Sequence, residues 1–577
     1  MSRRVSALGF LETWRPGLQT RTNGSTSVRI LAVGIACLAA WWLCEPNGRA
    51  ATPRFYSDDP IWRDPETQDA SKVQPVKVSD QYDLVENSFL GAGDKTDRPA
   101  ANVNTIDEVP DSSWFTNRIG PRHQGPLDLA ALAVGPDTST GPAAGPWTII
   151  ARKGEGVTPG FTIRDSAGEI YWVKFDPVGF PEMASGAEVI STKFFHAFGY
   201  HVAENYLATM RPELLQIAPD ATMKDEDGRS RRFTAGDLED ILERAAVQAD
   251  GSYRVLASRN ISGRPLGPFR YYGTRPDDPN DIFPHEHRRE LRGLEVFAAW
   301  LNHDEVRSSN SHDSVVPQGG RQIVRHHLLD FGSTLGSGSI KAQSRRAGNE
   351  FIWESRPTII TMLTLGLYVR PWIKVDYPDV PAVGRFESTY YRAENWKPDY
   401  PNPAFRKARP EDRFWAARIV AAFTDDAVAT IVRTARFTDA RATDYLTKTL
   451  IERRTKVLSA WLNATNPVVN LALAAGGALT FENAAERAGV AKSAERYTVQ
   501  WSRFDNATGT HHPVGDEQAV TEPKADAPPA LTSARPDFIS VRVRTFHSAQ
   551  PAWAQPVVAY FRRAGDGWSL VGLERNP

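Results

Sequence analysis

The sequence predicts an α+β chain built in consecutive blocks. Strand-like alternation runs from Pro146 to Ile217, amphipathic helices dominate from His285 to Leu462, and alternation returns after Asn466. The chain is 577 residues with 41% hydrophobic and 24% charged residues, which is a globular profile but too long for one core. Sixty-eight Lys and Arg against 69 Asp and Glu give a net charge of −1. Without a basic footprint, nucleic acid is not an expected partner. Forty-one prolines and 42 glycines predict many turns and long loops.

At the N-terminus, Ile30–Cys44 carries no charge and follows Arg3, Arg4, Arg15, Arg21 and Arg29. Small residues at Gly48 and Ala50 flank Arg49 and would permit cleavage before Ala51. This is the pattern of a signal peptide over residues 1–50, or of an N-terminal membrane anchor if the run is retained. Either way the remaining chain is expected outside the cytoplasmic membrane, in the periplasm or cell envelope, with 30–44 as its membrane attachment if uncleaved. Both cysteines, Cys37 and Cys44, lie in this segment, so no disulfide or thiolate chemistry is expected beyond it.

Residues 51–145 read as an extended, loop-rich region. Its Val109–Arg118 stretch is aromatic enough to pack on the next domain, and Leu127–Gly145 reads as loop. Strands follow at Trp147–Arg152, Phe161–Asp165 and Glu169–Phe175, with Ser166-Ala-Gly168 turning the last pair. Next comes a helix from Pro181 to Phe198, whose Ile190, Phe194, Phe195 and Phe198 share a face. Strands at Val202–Met210 and Leu214–Ile217, a helix at Gly236–Gln248 and a strand at Tyr253–Ala257 complete this part. The strongest helix spans His285–Asn302, with Leu291, Leu294, Ala298 and Leu301 in a buried stripe. Arg288, Arg289 and Arg292 with Glu286 and Glu290 read as its charged face. The polar-aromatic loop Arg270–Asp281 before it reads as a structural Ω-loop or an acceptor-binding loop. A strand is expected at Ile323–Leu329, then loop from Gly338 to Arg409. Helices follow at Asp412–Phe423, Asp425–Arg436 (capped by Thr424) and Arg441–Leu462. The last stretch carries strands at Arg496–Phe504, Phe538–Phe546, Pro556–Arg562 and Trp568–Glu574, the size of a separable β-sandwich.

The chemistry-bearing residues fall in a telling order. Gly154, Gly156 and Gly160 follow the first strand, where a Gly-rich turn lets backbone N–H groups approach phosphate. Lys174 ends a strand, and Glu188 lies 14 residues on in a helix, placed to hold that lysine. Asp304 follows the strongest helix and could orient an acceptor hydroxyl. Asn310 and Asp330 are hard oxygen donors of the kind Mg²⁺ prefers.

On these residues the sequence resembles the protein-kinase-like superfamily, and its atypical branch in particular (HipA-type, CotH-type and phosphatidylinositol-kinase-type folds). Tyr171-Trp-Val-Lys174, Glu188, Asn302-His-Asp304 through Asn310, and Asp330-Phe-Gly332 carry the resemblance. It implies a two-lobed domain over 146–464, with an antiparallel-sheet N-lobe and a helical C-lobe, followed by the β-sandwich-like domain over 465–577. It further implies ATP and Mg²⁺ as cofactors, with Gly154, Gly156, Gly160 and Lys174 binding nucleotide. Lys174, Glu188 and Asp304 would be catalytic, Asn310 and Asp330 metal ligands. The acceptor would be a protein, sugar or lipid. Two departures stand out: Asp304 and Asn310 are six residues apart where five is usual, and the glycines read G-x-G-x-x-x-G. The HRD and APE signatures are also missing, so a catalytically inactive scaffold of the same fold is the alternative.

Six of the twelve histidines lie between 285 and 327: His285, His287, His303, His312, His326 and His327. With Asp304 and Asp313 they would suit a metal-dependent hydrolase. There is no HExxH, and His285-Glu-His287 does not put two imidazoles on one helix face. Packing and backbone hydrogen bonding is therefore the expected role.

Overall fold

Alternation in the first strand block builds a seven-stranded sheet. In chain order its region contains β1 (Trp147–Arg152), β2 (Gly160–Arg164), β3 (Ile170–Phe175), β4 (His201–Val202), β5 (Asn205–Met210), β6 (Leu215–Lys224), β7 (Ser230–Arg232), β8 (Tyr253–Arg259) and β9 (Arg264–Gly267). The sheet order is β5-β8-β3-β2-β1-β6-β7, antiparallel except where β1 meets β6. This computed structural model describes residues 52–120, 125–152, 158–225 and 229–575. The segment read as signal or anchor, and Gly154 and Gly156, lie outside those residues. Of the described residues, 55–505 and 510–575 form one compact unit, and 52–54 group with 506–509.

In β3, Tyr171, Val173 and Phe175 enter the sheet's own core with Phe161, Ile163 and Val255. Trp172 is on the other face and 42% exposed, so the strand is half-buried rather than buried on both sides. Helix α1 (Met183–Phe198) follows, and all four of its apolar stripe residues are fully buried.

Phe194 and Phe198 pack against Phe297 and Trp300 of α2 (Arg289–Leu301) and against Phe423. Helix α2 begins later than the sequence suggested, because His285–His287 forms a 3₁₀ turn. It is the centre of the helical region, enclosed by α3 (Pro410–Ala421) and α5 (Ala440–Trp461), with α4 (Asp425–Arg433) packed on α5. Gly293 permits the α2–α3 approach, since a Cβ there would meet the Trp415 ring at 2.8 Å. Thr424 caps α4 by accepting from the Ala427 N–H at 3.1 Å.

A second sheet, β4-β11-β10-β9, joins the two regions through the hairpin β10 (Ser311–Gln318) and β11 (Arg321–Leu328). Sequence reading missed β10, because Ser311-His-Asp-Ser314 is polar without alternation. The burial of that polar stretch comes from partners elsewhere in the chain.

Two stretches read as loop contain helix. Leu129–Val134 is helical, with the Asp128 carboxylate accepting from Ala130 and Ala131 N–H at its start. Ser355–Leu363 is a helix with no buried residue.

The C-terminal strands form two sheets. β12 (Val468–Leu473), β13 (Ala478–Asn483) and β17 (Lys524–Asp526) make one. The other has the order β15-β14-β18-β19-β20, with β14 (Arg496–Asp505), β15 (Thr510–Pro513), β18 (Phe538–Phe546), β19 (Val557–Ala564) and β20 (Gly567–Arg575), and β16 (Gln518–Val520) beside β14. Leu479 and Phe481 of the first meet Val499, Trp501, Val541 and Val543 of the second, in the manner of a sandwich core. This layer is tied to the helices. Trp553 belongs to the helical core, and the Arg575 guanidinium donates to the Asn466 and Val468 carbonyls, both at 2.8 Å, while stacking over Phe414.

Candidate functional site

The pleat of β3 decides where Lys174 points. With Val173 and Phe175 in the sheet core, Lys174 leaves by the opposite face, where α1 lies. The first turn of α1 is fixed by Asp176, whose carboxylate accepts from the Ser185 N–H at 2.8 Å and hydroxyl at 2.6 Å. That anchoring delivers Glu188, 3% exposed, to Lys174: the ammonium donates to Oε2 at 2.9 Å and Oε1 at 3.1 Å. The same Nζ donates to Asp330 Oδ1 at 2.8 Å, across 156 residues of sequence. Burial works against the Lys174 charge, but Asp330 and Glu188 more than offset it and hold the ammonium above its usual range. Gly160 sits in β2 directly opposite Lys174, with the Val173 carbonyl where its Cβ would be. Its lack of a side chain is required by strand packing.

Asp330 follows β11 and takes a left-handed backbone, φ 59°. Phe331 stacks on Phe195 of α1, ring centroids 4.5 Å apart and planes 12° apart. A Cβ on Gly332 would lie 3.2 Å from Glu188 Oε2. Ser191 and Thr334 hydroxyls are 2.7 Å apart, and Thr334 also donates to the Phe331 carbonyl. Helix α1 and the Asp330-Phe-Gly turn therefore form one block.

Asp304 lies after α2, which ends at Asn302 in the left-handed region, φ 54°. It does not face an open cleft. Its carboxylate is 6% exposed, and Oδ1 accepts from Gln343 Nε2 at 2.7 Å and from the Ser333 hydroxyl at 3.3 Å. Gln343 is itself held by the Asn302 amide, which donates to its Oε1 at 2.8 Å. Burial, then the neighbouring Asp399 and Glu305 carboxylates, push the Asp304 carboxyl well up, against the pull of Arg346. No sequence signal pointed to Gln343, which stands in an unpatterned Lys-Ala-Gln-Ser stretch far from Asp304.

The extra residue between Asp304 and Asn310 is taken up by a 3₁₀ turn, Ser308–Asn310, whose Ser308 hydroxyl donates to Asp83 at 3.0 Å. The Asn310 carbonyl accepts from the Leu329 N–H at 2.9 Å, which sets Asn310 beside the residue preceding Asp330. Its amide donates to the Glu305 carbonyl at 3.0 Å. Lys174, Glu188 and Asp330 thus meet directly, Asn310 is bonded to the strand end that carries Asp330, and Asp304 is capped separately. The void bounded by Lys174, Glu188, Leu256, Gly332 and Ser339 is about 10 Å³, room for no more than a water.

The histidines disperse into individual contacts. His285 Nε2 pairs with Asp281 at 2.7 Å, His287 Nε2 with Asp94 at 2.9 Å and His326 Nδ1 with Asp313 at 2.7 Å. His326 also stacks on Trp114, 3.5 Å between centroids. His327 Nδ1 lies 3.2 Å from the His312 carbonyl. Among the described residues, no group of three or more His, Cys, Asp or Glu is arranged to hold a metal.

The charged face expected on α2 is instead interior. Arg288, Arg289 and Arg292 are at most 2% exposed. Arg289 and Arg292 donate to Asp412 at 3.0 and 3.1 Å, and Arg288 donates to Asp281 at 3.1 Å. In the preceding loop, Arg275 donates to the buried Asp313 at 2.8 Å, a structural bond within the interior.

His303 packs edge-on against both rings of the Phe195–Phe331 stack. Burial lowers its imidazole to about 4. Its neutral form therefore adds stability that is complete above the unfolded value near 6.5 and is lost as pH falls toward 4. An NMR titration of the ring should show no protonation between pH 7 and about 5. A midpoint near 6.5 would contradict the buried placement.

No protein family and no curated protein matches this sequence. Among solved structures, the chain is similar to the Helicobacter pylori proinflammatory kinase CtkA. The match has 14% identity over 53% of this chain and 91% of that one, with a TM-score of 0.28.

Proposed function

We propose that this protein is an atypical kinase-like phosphotransferase that works with ATP and Mg²⁺ outside the cytoplasmic membrane. The observation that supports this most is the Lys174 ammonium bridging Glu188 and Asp330, three groups from a strand, a helix and a post-strand turn. A permanently charged lysine held by one helix carboxylate and one turn carboxylate suits a phosphate-binding role. Lys174 would hold phosphate oxygens, and Asp330 and Asn310 would hold the metal, their oxygens matching a hard cation. The nucleotide supplies the phosphoryl group.

The chain's own residues do the rest. Glu188 orients Lys174. Asp304 would take the proton of an acceptor hydroxyl at its carboxylate, once Gln343 and Ser333 release Oδ1. The Ser339 side of the void must also open to admit a nucleotide.

The Gln343 cap favours a second reading, in which the same fold binds nucleotide without turning it over and serves as an envelope scaffold. Titrating the full chain with ATP and Mg²⁺ separates the two. A raised Tm together with transfer of the terminal phosphate to water or an acceptor supports the first. A raised Tm without transfer favours the second, and no change in Tm overturns both.

A further inference from the structure

The sequence between Arg356 and Arg370 contains no Asp, Glu, Lys or Arg: it reads Pro-Thr-Ile-Ile-Thr-Met-Leu-Thr-Leu-Gly-Leu-Tyr-Val. The structure turns this stretch outward. Ser355–Leu363 is a helix with no buried residue, and the chain returns through Gly366 (φ 85°) to a 3₁₀ turn at Pro371–Lys374. At its tip Leu365 is 92% exposed, Leu367 85%, Leu363 79% and Met362 71%. Four large apolar side chains this bare on adjacent turns are far outside what a water-facing surface carries singly.

The base of this projection is firmly held. The Ile352 N–H donates to the Asp399 carbonyl at 2.7 Å, and the Asp399 N–H donates in turn to the Asp304 carbonyl at 2.8 Å. Two acids near the base are taken up internally: Glu350 accepts from Arg370 Nε at 2.8 Å and Trp372 Nε1 at 3.0 Å, and Glu354 pairs with Lys397, while Asp376 is exposed. Arg356 and Lys374 are exposed cations on the two sides of the apolar tip in sequence. Trp353, 67% exposed, and Tyr368, 38% exposed, add aromatic surface on the two flanks of this stretch. Trp353 continues the surface onto Phe89, 62% exposed, with ring centroids 6.4 Å apart.

We propose that the Ile352–Ile373 projection docks this protein on an anionic lipid bilayer. Its exposed groups are those a bilayer surface takes up: bare aliphatic side chains at the tip, with amphipathic aromatic rings and cations on its flanks. The exposed Arg356 and Lys374 beside an uncharged apolar tip suit a negatively charged headgroup layer. No helix among the described residues is long and apolar enough to cross a membrane, so the segment would lie in the interface. Because its root at Asp399 is bonded to Asp304, docking would hold the Asp304 side of the molecule against the membrane.

The test is vesicle co-sedimentation of the full chain, comparing phosphatidylglycerol-containing with pure phosphatidylcholine vesicles. The control variant carries Leu363→Ser, Leu365→Ser and Leu367→Ser. The original chain should bind the anionic vesicles more tightly, and the variant should bind them roughly a hundredfold more weakly at unchanged Tm. Hydrogen exchange of the original chain should show residues 357–369 protected on vesicles. Equal binding by the variant would overturn the proposal and assign any membrane affinity to residues 30–44. No binding, or a concentration-dependent dimer lost in the variant, would also overturn it, the latter in favour of a second copy. None of these readouts depends on nucleotide or turnover, so the proposal stands or falls apart from the kinase-like reading.

Discussion

Asp412→Ala should destabilise the protein by about 3–5 kcal/mol, the loss typical of a broken buried ion pair. Asp412 is fully buried on α3 and accepts from Arg289 Nε and Arg292 on α2. It also accepts from the Arg409 N–H at 3.0 Å, at the start of its own helix. Without it, two guanidiniums would face each other in the core, and neither can shed its proton to relieve the strain. Arg289 would keep Asp107, and Arg292 would keep the Glu286 and Arg98 carbonyls, so the region would loosen around the α2–α3 contact. Asp412→Asn, which keeps the shape and one acceptor oxygen, should fall between the two. Urea unfolding checks this, with added salt having little effect because the charges are out of reach of screening ions. A loss under about 1 kcal/mol for the alanine variant would mean that the arginines find water in the native state.

Lys174→Met should show the second large effect, in two separable readouts. Glu188 would be left buried beside Asp330 with no cation. The expected loss is about 2–3 kcal/mol, less than for Asp412 because the Asp330 side chain is 38% exposed. The sign with pH is specific. Stranded carboxylates titrate higher in the folded state than in the unfolded chain, so the deficit should be greatest near neutral pH and shrink as pH falls through the carboxylate range. Adding Glu188→Gln should recover part of the loss, and a double-mutant cycle between the two sites should show strong coupling. On the proposed function, the same variant should lose its ATP response altogether, whereas Glu188→Gln should weaken it. Retained ATP binding in Lys174→Met would remove the lysine from the phosphate site and leave the bridge as a purely structural feature.

The parts of the site that sequence reading reached are the ones set by short-range pattern. The strand over Glu169–Phe175 and the place of Lys174 within it were legible, whereas the exposure of Trp172, which leaves β3 half-buried, was not. The four aromatic and aliphatic positions of α1 fixed which side of that helix met the core, and Glu188 lay on the same chain only 14 residues on. The six-residue gap before Asn310 called for a local adjustment, and a 3₁₀ turn supplies it. The C-terminal strands were readable for the same reason: Phe538–Phe546 alternates cleanly and is a strand over those residues.

Sequence alone therefore determined the α+β class, the main helices and strands, and the order in which Lys174, Glu188, Asp304, Asn310 and Asp330 occur. Tertiary structure decided what each polar group meets. Arg289 and Arg292 look solvated in sequence, and the partner that both share, Asp412, comes from some 120 residues away. Asp304 looked open to an acceptor, and only the return of the chain at Gln343 closes it. The uncharged stretch 357–369 looked like loop, yet nothing in the fold covers it among the described residues. The physical reason is common to all three. Periodicity records which residues avoid water, whereas the fate of a charge or a bare apolar turn depends on the partner that distant chain brings, or fails to bring, to it.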